Sequence, residues 1–188
     1  MRDTVLSRAV IGQDTLLKQA ALVLGGSLFI AMAAQVSFGW PVPISLQTLA
    51  ILTVGLTFGS RLGAVTLLAY LAQGAAGLPV FANGASTLAL VGPTAGFLYG
   101  FVGMAFLAGL AVEKGLARGM VSTALVCMVI SAALYIPGLA WPAAVLGKSM
   151  PDLWAGWMAP FLMGDALKAV LAAMVVWGGW KALEARRG

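Results

Sequence analysis

Long apolar runs, separated by short polar joints, occupy most of the chain. A helix needs about 20 apolar residues to cross the hydrocarbon core of a membrane, and six runs are candidates for such spans. We predict the spans at about 16–38, 44–59, 62–77, 93–112, 119–139 and 158–180. The second and third runs are short, and the polar joint around Arg61 predicts that they form a helical hairpin. A half-spanning re-entrant pair is the alternative for these two runs.

The composition indicates a membrane protein. Of the 188 residues, 61% are hydrophobic and 9% are charged, whereas a soluble domain has roughly 25% charged residues. The apolar residues are spread along the whole length, so we expect no removable signal peptide. The prediction is therefore an all-α integral membrane protein with a single membrane domain over residues 1–188.

The basic residues predict the orientation of the spans. If the N-terminus is cytoplasmic, nine of the eleven basic residues lie in inner segments, namely Arg2, Arg8, Lys18, Arg61, Lys114, Arg118, Lys181, Arg186 and Arg187. Lys148 is then outside, and Lys168 lies within the last span. This distribution follows the positive-inside rule and predicts that both termini are cytoplasmic. It also explains the net charge of +5 without a nucleic-acid partner.

The same topology leaves a long outer connection at 73–94, between the third and fourth spans. Loops longer than about 12–15 residues are usually functional or disordered, and this one is too apolar for disorder. We expect it to fold back as a lid or re-entrant piece over an outward-facing cavity. Two further outer connections are predicted, one directly after the first span and one at 140–157.

Two opposite charges, Asp165 and Lys168, interrupt the last apolar run. Their i, i+3 spacing places them on one face of a helix, about 10 Å below its outer end at 1.5 Å per residue. An ionisable group at membrane depth is costly unless it faces a polar cavity and has a partner. We interpret the pair as the floor or wall of a solute site. The alternative is a structural ion pair that fixes helix packing.

Other residues near the outer surface can converge on this pair. The predicted binding residues are Gln47, Asn83, Thr94, Asp165 and Lys168, with aromatic walls from Trp40, Phe81, Tyr99 and Trp157. A few polar groups in an apolar wall are typical of a small-molecule pocket, here one for a ligand with amide-like donors and acceptors. Taken singly, each polar residue more often serves as a helix cap or a satisfied turn group.

Missing residue types exclude several function classes. The chain has no histidine, which removes the commonest general base and the commonest metal ligand. Its one cysteine, Cys127, lies in an apolar run, and Asp165 is the one carboxylate within a predicted span. We therefore expect no enzymatic activity, metal or cofactor. The solute site then belongs either to a substrate-capture subunit of a transporter or to a self-sufficient secondary transporter. The sequence has no clear inverted repeat and no series of acidic residues for ion coupling, which counts against the second reading.

The first span carries small residues four positions apart, Ala21 with Gly25 and Ser27 with Ala31. Such a smooth face lets another helix approach closely. We predict that it docks on a partner membrane subunit, and internal packing is the alternative.

Four stretches, taken together and in this order, resemble a known family. They are PVPISLQT at 41–48, QGAAGLPVF at 73–81, GPTAGFLYGF at 92–101 and GDALK at 164–168. The chain resembles the BioY family, the biotin-binding S components of energy-coupling factor (ECF) vitamin transporters. The resemblance covers the first four spans and the sixth, and the fifth span carries little of it.

The resemblance implies a fold and a function. It implies six helices and capture of biotin from outside a prokaryotic cell membrane, together with a membrane coupling (T) subunit and two ABC ATPases. It also implies that Asn83, Asp165 and Lys168 contact the vitamin, most naturally through its ureido ring. The sequence contains no Walker A motif, so ATP would be used by the partner subunits only.

Overall fold

The computed structural model of the protein describes residues 5–6, 15–39 and 42–186. This part of the chain contains six long helices: α1 (Leu16–Gln35), α2 (Gln47–Phe58), α3 (Ser60–Ala75), α4 (Ala95–Glu113), α5 (Met120–Leu146) and α6 (Ala159–Ala185). Four helical stretches here are long and apolar enough to cross a membrane, namely α1, α4, α5 and the continuous stretch Met150–Ala185 that contains α6. The protein is thus a multi-pass membrane protein, and its described residues are mainly helical, with one short hairpin among them.

The hairpin joins α1 to α2. Its strands, β1 (Ser37–Phe38) and β2 (Ile44–Ser45), pair antiparallel. The predicted first span, 16–38, is therefore too long at its C-terminal end, and the predicted second span, 44–59, begins too early. The cause is that Phe38 and Ile44 continue the apolar runs on either side, so hydropathy alone does not separate strand from helix here.

A single residue, Gly59, joins α2 to α3. Its φ of +88° lies in the left-handed region, which costs glycine little. Glu113, at the end of α4, accepts hydrogen bonds from the backbone N–H and the hydroxyl of Ser60, at 2.8 and 2.7 Å. This carboxylate caps α3, which therefore begins at Ser60 and not at the predicted residue 62. The predicted helical hairpin is present.

Helix α4 lies at the centre of the bundle, where it packs against α2, α3 and α5, while α6 packs against α2 and α5. Small residues allow the close approach of these helices. A side-chain carbon at Gly55 in α2 would lie 2.5 Å from the carbonyl oxygen of Ala105 in α4. A side-chain carbon built at Gly109 in α4 would overlap the backbone at Gly59 and Ser60.

Helices α5 and α6 extend beyond the predicted spans, 119–139 and 158–180. α5 continues through Pro137 and Pro142 to Leu146, because a membrane helix tolerates the loss of single backbone hydrogen bonds. A short turn, Met150–Leu153, and a π-helical turn, Trp154–Met158, then lead into α6. The stretch predicted as a connection at 140–157 is therefore mostly helical.

The connection between α3 and α4, residues 76–94, contains two 3₁₀ turns, Ala82–Gly84 and Thr87–Leu90. Side chains of three helices fasten it. Gln35 of α1 donates a hydrogen bond to the carbonyl of Phe81 at 3.1 Å, and Tyr70 of α3 donates to the carbonyl of Val80 at 2.8 Å. Tyr99 of α4 donates to the carbonyl of Leu90 at 2.7 Å. The connection is thus held against the bundle as an ordered wall.

Candidate functional site

A cavity opens between the hairpin, α2, the 76–94 connection, α4, α5 and α6. The cavity volume is about 100 Å³. Most of its wall is apolar and aromatic, from Phe81, Phe97, Phe101, Leu134, Trp157 and Phe161. A few polar side chains interrupt this wall, as is usual in a small-molecule site.

Three of these polar side chains form one group, which we name the polar cluster: Tyr135, Asp165 and Lys168. The two charged residues lie one turn apart on α6, and the Lys168 Nζ is 3.5 Å from the Asp165 Oδ1. Tyr135, on α5, donates a hydrogen bond to the Asp165 Oδ2 at 2.5 Å. All three side chains line the cavity.

The ammonium group of Lys168 is only partly satisfied. The residue is 8% exposed, and among the described residues its one hydrogen bond is the long contact with Asp165. A well-formed ammonium–carboxylate hydrogen bond is about 2.7–2.9 Å long, and an ammonium has three donors. Donors of Lys168 therefore remain for an acceptor in the cavity, and the choice between a solute site and a structural ion pair stays open at the level of geometry.

Gln47 fixes another part of the wall. The residue is 4% exposed, and its Nε2 donates to the Tyr70 hydroxyl at 2.9 Å. Because Tyr70 in turn donates to the carbonyl of Val80, Gln47 connects α2 to the 76–94 connection. The ring of Phe81, the next residue, packs edge-on against Tyr70 with 5.2 Å between ring centroids. The aromatic wall is thus held by a hydrogen-bonded chain that starts in the cavity.

Thr48 supplies an unused polar atom at the cavity. Its Oγ1 is buried and has no hydrogen-bond partner within the described ranges. Leaving a buried hydroxyl unsatisfied costs about 1–3 kcal/mol. Two more hydroxyl-bearing residues, Ser45 and Thr94, line the same cavity.

The structure brings most of the predicted site residues together. Gln47, Phe81, Thr94, Trp157, Asp165 and Lys168 all line this one cavity. Trp40 lies outside the described residues. Ligand binding by these side chains stays a prediction.

Two predicted residues do not line the cavity. Asn83 is exposed and has a φ of +57°, and its Oδ1 accepts a hydrogen bond from the Ser37 hydroxyl at 2.8 Å. In this structure its side chain therefore holds the connection to the hairpin. Tyr99 lies on the face of α4 opposite to Phe97 and Phe101, with its ring edge-on to Trp141. Tyr99 does not line this cavity, because helix rotation turns its side chain toward Trp141, and its part in ligand binding stays a prediction.

The predicted docking face on α1 is divided. Ala21 and Gly25 are exposed, and nothing lies within 4 Å of a side-chain carbon built at Gly25. Ser27 and Ala31 are instead buried, at 0% and 8% exposure. The Ser27 hydroxyl accepts a hydrogen bond from Gln73 of α3 at 2.9 Å. Ser27 and Ala31 are therefore internal packing residues, and the exposed small-residue face is limited to Ala21 and Gly25.

Sequence reasoning missed Tyr135. Its distance of 30 positions from Asp165 gives no local pattern, and no spacing rule joins the two. One signal was available, since a phenol in a long apolar run usually has a hydrogen-bond partner when it is buried.

The polar cluster offers acceptors at Asp165 and donors at Lys168, which suits reversible binding of a ligand that presents N–H groups beside a carbonyl. Within the described residues, no group of three or more histidine, cysteine, aspartate or glutamate side chains could hold a metal ion.

Known proteins match the chain over most of its length. The model of the BioY family matches residues 4–185. The biotin transporter BioY of Rhodobacter capsulatus is 40% identical over 167 residues, which cover 79% of this chain and 87% of that protein. The biotin transporter BioY of Rhizobium etli is 36% identical over 169 residues, covering 84% and 90%.

A solved structure has the same fold. It is the crystal structure of the S-component for biotin from an ECF-type ABC transporter, which superposes with a TM-score of 0.76. The match covers 94% of this chain and 96% of the other, at 22% sequence identity. At that identity the likeness concerns the fold.

Proposed function

The chain belongs to the BioY family, and we propose that it captures biotin from outside a prokaryotic cell membrane as the S component of an ECF-type importer. The observation that carries this proposal is the polar cluster in an otherwise aromatic cavity. It offers one acceptor group and one donor group, side by side and largely buried.

Biotin has the functional groups that such a cavity requires. Its ureido ring carries two N–H donors beside a carbonyl, which match the carboxylate of Asp165 and the ammonium of Lys168. The rest of its bicyclic body is apolar and suits the aromatic wall, including Trp157 and Phe161. In this proposal biotin is the transported ligand and is not a cofactor.

Titration of the purified protein with biotin and with lipoic acid tests this proposal. Lipoic acid has the same pentanoate tail but no ureido ring. Losing hydrogen bonds to two charged groups, at about 1.5–3 kcal/mol each, corresponds to at least roughly a hundredfold in affinity. We expect lipoic acid to bind weaker than biotin by that factor or more. Equal affinities would contradict a site built for the ureido ring.

The proposed topology has six crossings, both termini in the cytoplasm and the 76–94 connection outside. The distribution of basic residues supports it. At 1.5 Å per residue, α2 and α3 are about 18 and 24 Å long, which is shorter than the roughly 30 Å hydrocarbon core. A short span is accommodated when the bilayer thins locally, so both helices can cross as a hairpin.

Single cysteines at two exposed lysines test this topology. Lys148, between α5 and α6, and Lys114, at the end of α4, are both exposed. In intact cells, a membrane-impermeant maleimide should label Lys148→Cys and leave Lys114→Cys unlabelled. The native Cys127 has 0% exposure and should stay unlabelled in both variants. The reverse labelling pattern would invert the orientation and with it the outward-facing site.

We propose that a membrane coupling (T) subunit and two ABC ATPases complete the importer, and that this chain binds its ligand without converting it. The exposed side of α1 is the proposed docking surface, since Ala21 and Gly25 lie there beside Leu24 and Leu28.

Added bulk at Gly25 tests the docking surface. Gly25→Leu should weaken co-purification with the coupling subunit and leave biotin affinity unchanged, because a side chain there meets open space. Gly103→Leu is the matched control, since Gly103 on α4 also has open space around it. Equal effects of the two variants on co-purification would show that α1 is not the docking surface.

A further inference from the structure

We propose that Tyr135 is a positioning residue, which acts on the ligand through Asp165 by fixing the orientation of its carboxylate. The inference rests on the proposed function and adds to it a residue that determines specificity. Tyr135 lies on α5, outside the four sequence stretches that carry the resemblance, and the inference rests on its geometry.

The geometry constrains the Asp165 carboxylate at both oxygens. The Tyr135 hydroxyl donates to Oδ2 at 2.5 Å, and the Lys168 ammonium lies 3.5 Å from Oδ1. An O–H···O⁻ bond of this length belongs to the strong, charge-assisted class. The Tyr135 side chain is itself fixed, because it is 6% exposed and its ring packs edge-on against Phe97 with 6.0 Å between centroids. The carboxylate is therefore contacted at both oxygens by side chains of α5 and α6.

This arrangement determines which groups a ligand must present. A phenol has one proton, and Tyr135 uses it on Asp165, so its oxygen faces a ligand as an acceptor only. An ionised Asp165 also accepts only, whereas Lys168 donates only. The polar cluster thus selects an edge with N–H donors toward Asp165 and a carbonyl toward Lys168. A ligand that presents only acceptors toward Asp165 gains no hydrogen bond from the carboxylate and places its partial negative charge beside it.

A double-mutant cycle tests whether Tyr135 acts through Asp165. Tyr135→Phe keeps the ring and its packing on Phe97 but deletes the donor. We expect it to lower biotin affinity by roughly tenfold, the value of a neutral-to-charged hydrogen bond at its lower end. In the Asp165→Asn background the same change should alter affinity less than about twofold, because residues that act as a unit are not additive. Thermal unfolding without ligand shows whether each variant is folded.

Tyr99→Phe is the matched control for the cycle. It deletes a hydroxyl with a comparably short hydrogen bond, 2.7 Å to the Leu90 carbonyl, but outside the cavity. Its effect on affinity, of whatever size, should be the same with Asp165 and with Asn at position 165, within about twofold.

The outcomes separate the two proposals. If Tyr135→Phe weakens biotin equally in both backgrounds, Tyr135 acts by packing or by direct contact and the inference is wrong. If it changes nothing in the Asp165 background, Tyr135 has no part in binding. If the unmodified protein fails to bind biotin, the proposed function fails first. If the wild type binds biotin and the effects of the two substitutions on affinity are additive, only the positioning role of Tyr135 is overturned.

Discussion

Replacement of Asp165 by Asn, or of Lys168 by Met, is expected to lower biotin affinity by roughly tenfold to a hundredfold or more. A hydrogen bond to a charged group contributes about 1.5–3 kcal/mol, and a stranded buried partner adds to the loss. Asp165→Asn keeps the shape, but turns one acceptor into a donor and leaves Lys168 without a counter-charge. Lys168→Met keeps the apolar stem and deletes all three donors.

The double variant Asp165→Asn/Lys168→Met separates binding from folding. Each single variant strands one buried polar partner, which destabilises the fold. The double variant carries no buried charge at these positions, so its unfolding temperature should recover toward that of the wild type. Its biotin affinity should stay low, because the ligand has lost both partners. A structural ion pair predicts the opposite, with stability lost and binding retained.

Two exposed residues provide matched controls. Asp152→Asn and Lys148→Met make the same chemical changes between α5 and α6, where both residues are exposed and neither lines the cavity. Neither control should change biotin affinity by more than about twofold, since surface substitutions away from such sites are usually within about 0.5 kcal/mol. If the double variant at 165 and 168 binds biotin as the wild type does, binding must be sought among Gln47, Asn83 and the 76–94 connection.

Substitution of Gly109 by Ala is expected to produce one of the largest losses of stability among single methyl additions. The new carbon would overlap the backbone of Gly59 and Ser60 at the start of α3, and backbone atoms cannot move aside as a side chain can. Overpacking of this kind costs about 1–3 kcal/mol or more, which exceeds the gain of about 1 kcal/mol in helix propensity. Separation of α3 from α4 would also strain the bonds from Ser60 to Glu113.

Gly103→Ala is the control for this loss. It makes the same change on the same helix, but nothing lies within 4 Å of the added carbon. Thermal unfolding in detergent should show Gly109→Ala melting lower than the wild type and Gly103→Ala at or slightly above it. Similar unfolding temperatures for the two variants would refute the close approach of α4 to the α2–α3 joint.

The helical architecture follows from the sequence because long apolar runs have few other stable forms in a membrane. The ends of the helices and strands are harder to predict from the sequence. Phe38 and Ile44 continue the apolar runs of the helices beside them, and the strand pairing at 37–38 and 44–45 follows Gly39, where φ is +96°. α5 passes through two prolines because the surrounding bundle supports it. Such outcomes depend on tertiary contacts that a local pattern does not contain.

The candidate site was predictable where a residue type is costly in its setting. Asp165 and Lys168 stand out because a charge at membrane depth needs a cavity and a partner. The position of Asn83 depends instead on how Ser37 and Gln35 hold the 76–94 connection. Tyr135 becomes part of the site only through the rotation of α5 relative to α6, and no distance along the sequence encodes that rotation.

Mass spectrometry of small molecules released from the detergent-purified protein tests the central claim most directly. The wild type, purified from cells that contain biotin, should release biotin in an amount close to one molecule per chain. The Asp165→Asn/Lys168→Met variant, purified in parallel at the same yield of folded protein, should release little or none. Release of a different compound from the wild type, or of equal biotin from both proteins, would contradict capture of biotin by the polar cluster.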